Sequence, residues 1–151
     1  MTVTIPTLAS LQSRIGEHLA TSEWVLVDQQ RIDLFAQATG DHQWIHVDRE
    51  KAAAGPFGTT IAHGFLTLSL IPELADKAMR FEDVRMGVNY GLNRVRFTSP
   101  VPSNSRVRAH FVLKAYEPIE GGAQLTMEVS IEREGASKPA CVAEAVSRRF
   151  V

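Results

Sequence analysis

The sequence contains only one cysteine, little net charge and no long apolar run. A single cysteine cannot form an internal disulfide, which suits a reducing cytoplasm. A net charge of −1 gives no reason to expect nucleic acid or an anionic membrane surface as a partner. The most apolar window, Ile61 to Ile71, is far short of the ~20 residues that a bilayer-spanning helix needs. The N-terminal residues also lack the basic patch and apolar stretch of a signal peptide. We therefore expect a soluble cytoplasmic protein.

Several motifs with well-understood chemistry are also missing. The sequence contains no G-x-G-x-x-G, no G-x-x-x-x-G-K-[ST], no G-x-S-x-G and no C-x-x-C. Their absence argues against nucleotide binding of those kinds, against a serine hydrolase with a nucleophile elbow and against a structural zinc site. Cys141 lies in the apolar run from Ala140 to Ala143, which is typical of a small core residue and not of a nucleophile.

Helical signals dominate the first half of the chain. A weak amphipathic pattern runs from Leu8 to Leu19, and a second helix is predicted between an N-cap at Asp28 and a terminal glycine at Gly40. The segment from Gly64 to about Arg80 is apolar on nearly every side at its start, which predicts a buried helix. Pro72 lies within this segment and predicts either a kink or a later start.

Alternating apolar residues in the second half predict strands. A change of phase near Gly91 to Asn93 predicts a bulge, and Glu120 to Gly122 and Glu134–Gly135 are typical of hairpin turns. Short turns join strands in antiparallel order, so residues 1–151 are predicted to form one α+β domain in which an antiparallel sheet wraps a buried helix. The strand-like segments are Trp24 to Val27, Val84 to Phe97, Val107 to Leu113, Leu125 to Ile131 and Ala140 to Phe150.

Asp41 and His46 are the first candidates for chemistry. They lie in a polar, glycine-rich stretch, Asp41 to Thr60, that follows Gly40. On a continuous helix they would be roughly 140° apart, but a loop can curl and bring both side chains together. A carboxylate and an imidazole that converge can share a water molecule and move its proton. The alternative is that Asp41 caps the next turn and His46 is a packed or surface imidazole.

A metal site is a second interpretation of this stretch. His42 and His46 have the i, i+4 spacing of zinc ligands on a helix, and Asp41 is adjacent. The segment lacks a convincing helical pattern, and Trp44 and Ile45 offer the ion little polar support. We therefore expect no metal.

Gly64 stands where this loop enters the predicted buried helix. The free N–H groups of a helix N-terminus suit a developing oxyanion, and a glycine allows a substrate oxygen to approach closely. The alternative is that Gly64 only allows tight packing. The preceding His63 is interpreted as a local hydrogen-bonding residue, and the buried hydroxyls of Thr67 and Ser69 each need a partner, for which a backbone carbonyl is one answer.

These residues carry a resemblance to a known family. The stretch FAQATGDHQWIHVDREKAA, followed after a short loop by TTIAHGFLTLSLIPEL, resembles the MaoC-like dehydratases, the family of (R)-specific enoyl-CoA hydratases with the hot-dog fold. It is similar in particular to nodulation-protein-N-like and mycobacterial (3R)-hydroxyacyl-CoA dehydratases. The later stretch NYGLNRVRF, with Pro100–Val101 after it, extends the resemblance, which covers about Val25 to the C-terminus.

The resemblance implies a role for each matching residue. Asp41 and His46 match the pair that positions and activates water, and Gly64 matches the glycine whose amide polarises the thioester carbonyl. Ser69 matches a helix serine that hydrogen-bonds the catalytic aspartate. Gln43 departs from the commonest pattern, which has asparagine there, and it could help to order the site with a longer reach.

The resemblance also implies a function. The expected enzyme is a hydro-lyase that reversibly hydrates trans-2-enoyl-CoA to (3R)-hydroxyacyl-CoA and works as a homodimer. Its thioester of CoA or acyl carrier protein is the substrate, and no cofactor is needed. A hot-dog acyl-CoA thioesterase, an inactive acyl-thioester binder and a partner subunit are the alternatives. Candidates for contacts to the CoA phosphates, most of them expected to be merely solvated, are Arg94, Arg96, Arg106 and Arg108.

Overall fold

The second half of the chain folds as the antiparallel sheet that its alternation predicts. The computed structural model describes all 151 residues, and its main sheet has six strands. Five lie in the order β2-β6-β7-β8-β5, and β3 pairs with β6 beside β2. Their bounds are β2 His18–Thr21, β3 Val25–Val27, β5 Met86–Arg96, β6 Ser105–Ile119, β7 Gly122–Arg133 and β8 Pro139–Phe150.

The predicted turns and bulge of this sheet are confirmed. Gly121 and Gly135 each have a φ of 79° in the turns that join β6 to β7 and β7 to β8. That φ lies in the left-handed region that glycine adopts at little cost. The pairing of β5 with β8 shifts its register between Asn89 and Gly91 and again between Leu92 and Arg94.

The predicted central helix is present but divided. It consists of α4, Gly64–Ser69, and α5, Ile71–Ala78, which meet at Leu70. Pro72 lies in the first turn of α5, where its missing N–H has no intrahelical acceptor to lose, so the interruption falls just before it. The extension to Arg80 is wrong, because Met79–Phe81 form strand β4, which pairs in parallel with β1, Val3–Ile5.

Two other predictions about the first half are wrong. The helix expected over Leu8 to Leu19 is a 3-10 helix, Leu8–Ser13, followed by β2. Leu8 and Leu11 are buried at a spacing of three, which matches the period of a 3-10 helix, and Gly16 turns the chain with a φ of 91°. Phe65, in the first turn of α4, is 68% exposed although its helix was expected to be buried all round.

The predicted N-cap and C-terminal glycine of the helix before the site are confirmed. Helix α1 covers Gln29–Thr39; the Asp28 side chain accepts a hydrogen bond from the Arg31 N–H, and Gly40 ends the helix with a φ of 82°. The stretch after Gly40 is more regular than expected. It contains two short helices, α2 Trp44–Val47 and α3 Arg49–Ala53, the second with the Asp48 carboxylate as its N-cap.

The core lies between α4–α5 and the concave face of the sheet. Leu66, Leu70 and Leu74 belong to the same buried cluster as Phe111 and other inward-facing residues of β6, β7 and β8. Cys141 is fully buried there, and burial raises the pKa of its thiol to about 11, as suits a core residue. No helix in the structure is both long enough and apolar enough to cross a membrane.

Candidate active site

The structure brings Asp41 and His46 together, as the sequence predicts. The left-handed turn at Gly40 redirects the chain, so that Asp41 follows α1 directly while His46 lies on α2. The distance from His46 Nε2 to Asp41 Oδ2 is 4.0 Å. The His46 side chain is 7% exposed and that of Asp41 49%, so the pair lies at the boundary between core and solvent.

His46 is held in one orientation and one tautomer. Its Nδ1 donates a hydrogen bond of 2.8 Å to the carbonyl oxygen of Ile61, which leaves Nε2 unprotonated in the neutral ring and directed towards Asp41. Burial lowers the pKa of His46 below its ordinary value, and the nearby His63 adds to this, against the raising effects of the Ile61 bond and the Asp41 charge. At neutral pH the imidazole is therefore a neutral base.

The gap between the two side chains has a chemical meaning. A distance of 4.0 Å is too long for a direct hydrogen bond. A water oxygen can lie about 2.8 Å from each atom, beside the line that joins them, and donate a hydrogen bond to both. One side chain can then orient that water while the other removes its proton.

His63 is the member of the site whose position the sequence did not reveal. Its ring stacks on that of His46 with centroids 3.8 Å apart and 22° between the planes. Its Nε2 donates a hydrogen bond of 3.0 Å to the backbone carbonyl of Asp41. His63 does make a hydrogen bond, as expected, but the bond is not local, because Asp41 lies 22 residues away in sequence. Only its place beside Gly64 pointed to the site.

A buried amide supports the same region from behind. Gln29 Nε2 donates to the carbonyl of His46 at 2.8 Å, while its Oε1 accepts from the hydroxyl of Thr60. Both residues are nearly inaccessible to solvent. The sequence signal is weak, since Gln29 is only a polar residue in the first turn of α1. This network fixes the backbone of α2 against α1.

The structure replaces one of the predicted metal ligands, and the resulting set of side chains does not suit a metal ion. His42 is exposed, and the three side chains whose ligand atoms lie within 4.8 Å of one another are Asp41, His46 and His63. A metal must lie near the plane of each imidazole at about 2.0–2.1 Å from its nitrogen. Two rings stacked 3.8 Å apart and nearly parallel cannot both direct a lone pair at one ion.

Gly64 lies at the start of α4, as the sequence predicts. It is the first helical residue, so its N–H has no acceptor within the helix. A Cβ at this position would approach the Phe97 ring to 2.5 Å. The need for close packing is therefore real, and it coexists with the free amide.

Two predicted supporting residues are placed differently. The Ser69 hydroxyl donates to the carbonyl of Leu66 at 2.7 Å and not to Asp41, because the preceding turn of its own helix offers a nearer acceptor. The Gln43 side chain is exposed and makes no hydrogen bond in the site. Its backbone N–H instead donates to Asp41 Oδ1 at 3.3 Å, so the contribution of this position is a main-chain one.

A cavity of about 670 Å³ lies between α4–α5 and β5. Most of its lining is apolar, with Leu68 and Ile71 on one side and Val88 and Leu92 on the other. Asp41 and His46 do not line it, but Phe65, next to Gly64, does. Its volume is in the range of small-molecule sites.

Comparison with known proteins adds an independent observation. The model of the MaoC-like domain family matches residues 10–135. The chain belongs to the MaoC-like dehydratase family. This MaoC-like protein is therefore a hydro-lyase, as the sequence predicts. It is 52% identical over 146 residues to 3-hydroxyacyl-thioester dehydratase Z of Mycobacterium tuberculosis, covering 96% of this chain and 97% of the relative. It is 53% identical over 140 residues to nodulation protein N of Rhizobium leguminosarum, covering 90% and 86%.

Solved structures confirm the fold class. The unliganded R-hydratase of Pseudomonas aeruginosa superposes with a TM-score of 0.75 at 22% identity, over 95% of this MaoC-like chain and 85% of the other. The (R)-hydratase of A. caviae gives 0.70 at 22% identity, over 87% and 95%. The antiparallel sheet around a central helix is thus the predicted hot-dog fold.

Proposed function

We propose that this protein reversibly hydrates trans-2-enoyl-CoA to (3R)-hydroxyacyl-CoA, with Asp41 and His46 as its catalytic pair. The observation that carries the proposal is the 4.0 Å gap between a carboxylate oxygen and an unprotonated, buried imidazole nitrogen. A relative that covers nearly the whole chain is named a 3-hydroxyacyl-thioester dehydratase, which supports an acyl thioester as the substrate.

The site suggests how each group takes part. Asp41 orients the water, and His46 Nε2 removes its proton as the oxygen attacks the β-carbon. The electrons of the double bond move to the thioester oxygen, where an enolate-like charge develops. The Gly64 N–H meets that charge, and removal of one such donor in other enzymes costs roughly 3 kcal/mol. The proton held on His46 is returned to the α-carbon on the same face, which restores the neutral base.

The cavity between α4–α5 and β5 suits the acyl chain. It begins one residue beyond Gly64, so a thioester carbonyl on that amide could extend its apolar tail into this space. Two of the four arginines considered for the CoA phosphates are engaged elsewhere, since Arg106 pairs with Glu134 and Arg108 with Glu132. Arg94 and Arg96 remain as candidates.

A homodimer is the proposed assembly. Strand β5 is the edge of the sheet, and ten of its eleven residues are exposed. Among them are Met86, Val88, Tyr90 and Leu92, each at least 44% exposed. A long apolar edge strand with unpaired backbone groups favours association with another strand. Light scattering at micromolar concentration should give twice the 16.7 kDa monomer mass, and a value of 16.7 kDa would contradict the dimer.

The proposed reaction is tested with purified protein and crotonyl-CoA. Hydration removes the conjugated double bond, so absorbance of the enoyl thioester should fall without release of free CoA. Release of free thiol would instead indicate a thioesterase, and binding without turnover an inactive acyl-thioester binder. Chiral analysis should give the (3R) product; the (3S) product would contradict the proposed geometry of attack.

A further inference from the structure

Asp41 has few contacts that fix its position. Its side chain is half exposed, and its carboxylate accepts only a long hydrogen bond of 3.3 Å from the Gln43 N–H. Its own N–H reaches the Thr39 hydroxyl at 3.5 Å. The one short bond to a distant element is the 3.0 Å bond that its carbonyl accepts from His63 Nε2. Apart from its chain connection to α1, Asp41 is therefore held to the rest of the fold mainly by the bond from His63.

His46 is anchored independently of that bond. Its Nδ1 donates to Ile61, its carbonyl accepts from Gln29, and the neighbouring Ile45 carbonyl accepts from the Ile61 N–H at 3.0 Å. Loss of the bond between His63 and Asp41 would thus move one member of the pair relative to the other, and the 4.0 Å gap depends on that relative position.

The surroundings of His63 show that packing alone does not account for a histidine. The residue is 2% exposed, and its ring packs against those of Phe35 and His46, with centroid distances of 4.9 Å and 3.8 Å. Its Nδ1 is buried without a hydrogen-bond partner, which costs stability that an apolar ring would not. It precedes α4 as the N-cap residue, yet its side chain makes no capping bond. The donated bond to Asp41 is the one interaction that requires a nitrogen.

We propose that His63 is a positioning residue, which holds the Asp41 backbone through Nε2–H and holds the face of the His46 ring by stacking, and so sets the gap that receives the water. This inference rests on the proposed hydration reaction. His63 needs no contact with the substrate to do this, so its loss should act on kcat and leave KM for crotonyl-CoA nearly unchanged. A displacement of about 1 Å in a catalytic group can cost roughly 100-fold in rate.

The test compares His63→Phe with His63→Gln. Phenylalanine keeps the stacked ring and lacks the unpaired nitrogen, but it cannot donate to Asp41; glutamine keeps a donor. We expect His63→Phe to lose roughly 100-fold in kcat with KM and the unfolding midpoint close to wild type. His63→Gln should recover part of that loss, because it restores the donor but not the stacked ring. His18→Gln, an exposed histidine on β2, is the matched control and should behave as wild type.

The outcomes separate the proposals. If His63→Phe keeps wild-type activity while His46→Ala loses most of it, the proposed role of His63 is wrong and the proposed reaction still stands. An equal rise in KM in both His63 variants would lead to the same conclusion. An inactive wild-type protein overturns the proposed function and this inference together. The long-range 1H–15N correlation spectrum of the wild-type protein reports the tautomer of His63 and requires no variant. It should show His63 as the Nε2–H tautomer at neutral pH, and the Nδ1–H tautomer contradicts the bond to Asp41.

Discussion

The protein contains two imidazole–carboxylate pairs that differ in the space between their partners. On the outer face of the sheet, His110 Nε2 lies 2.5 Å from Glu132, and Arg108 contacts the same carboxylate at 3.0 Å. In the candidate site, His46 and Asp41 are 4.0 Å apart. The first pair is in direct contact, whereas the two atoms of the second are too far apart for a direct hydrogen bond and can share a water molecule. Proximity of a histidine and a carboxylate therefore does not by itself make a catalytic pair.

The two pairs also differ in electrostatics. Burial would raise the pKa of Glu132, but the hydrogen bond from His110 and the charge of Arg108 lower it overall, so this group is stabilised in its charged form. Burial instead lowers the pKa of His46, which favours a neutral base. The surface pair suits a structural ion pair, and the site pair suits proton transfer.

The largest expected effect is the loss of turnover when the site pair, and not the surface pair, is substituted. His46→Ala and Asp41→Asn should each reduce crotonyl-CoA turnover by roughly 100- to 10,000-fold, because each removes an acid–base or water-orienting group. His110→Ala and Glu132→Gln are the matched changes in the surface pair and should leave turnover unchanged. Steady-state kinetics on all four variants makes the comparison. Equal losses in both pairs would mean that the effects arise from stability.

A smaller effect is expected when the site pair is made to resemble the surface pair. Asp41→Glu keeps the charge and adds one methylene, so the carboxylate can contact His46 directly and displace the water. We expect a loss of about 100-fold in kcat, through misplacement and not through loss of charge. The pH dependence of kcat/KM should show a raised pKa for the base. Undiminished activity would contradict the importance of the gap.

The smallest effect concerns stability against pH. Folding lowers the pKa of His46, so as pH falls the His46 side chain is protonated in the unfolded chain before it is protonated in the folded protein. The free energy of unfolding should therefore decline as pH falls below 6.5 towards the folded pKa. The Glu132 carboxylate contributes stability that is present above 4.5 and is lost as pH falls through its lowered folded pKa. Urea unfolding measured against pH should show that His46→Gln lacks the first decline and that Glu132→Gln lacks the second. Loss of both declines in one variant would show that the pairs are coupled.

Local patterns predicted most of the fold. The hairpins at Gly121 and Gly135, the bulge in β5 and the caps of α1 all depend on residues close in sequence, and all are confirmed. The 3-10 helix at Leu8–Ser13 and the exposure of Phe65 were missed because they depend on how distant segments pack.

The site was predictable in part for the same reason. Asp41, His46 and Gly64 stand out as residue types with defined chemistry beside a helix break and a helix start. The stacking of His63 and the buried amide of Gln29 join residues 17 apart in each case, and no local pattern reveals such contacts. The expected bond from Ser69 to Asp41 failed because a backbone acceptor was nearer.

The most direct test of the shared water is a double-mutant cycle between Asp41 and His46. If both act on the same water, Asp41→Asn combined with His46→Ala should turn over crotonyl-CoA little more slowly than the less active single variant, because removal of either disables the unit. Losses that multiply would contradict the account, since they would show that Asp41 and His46 act independently and share no water.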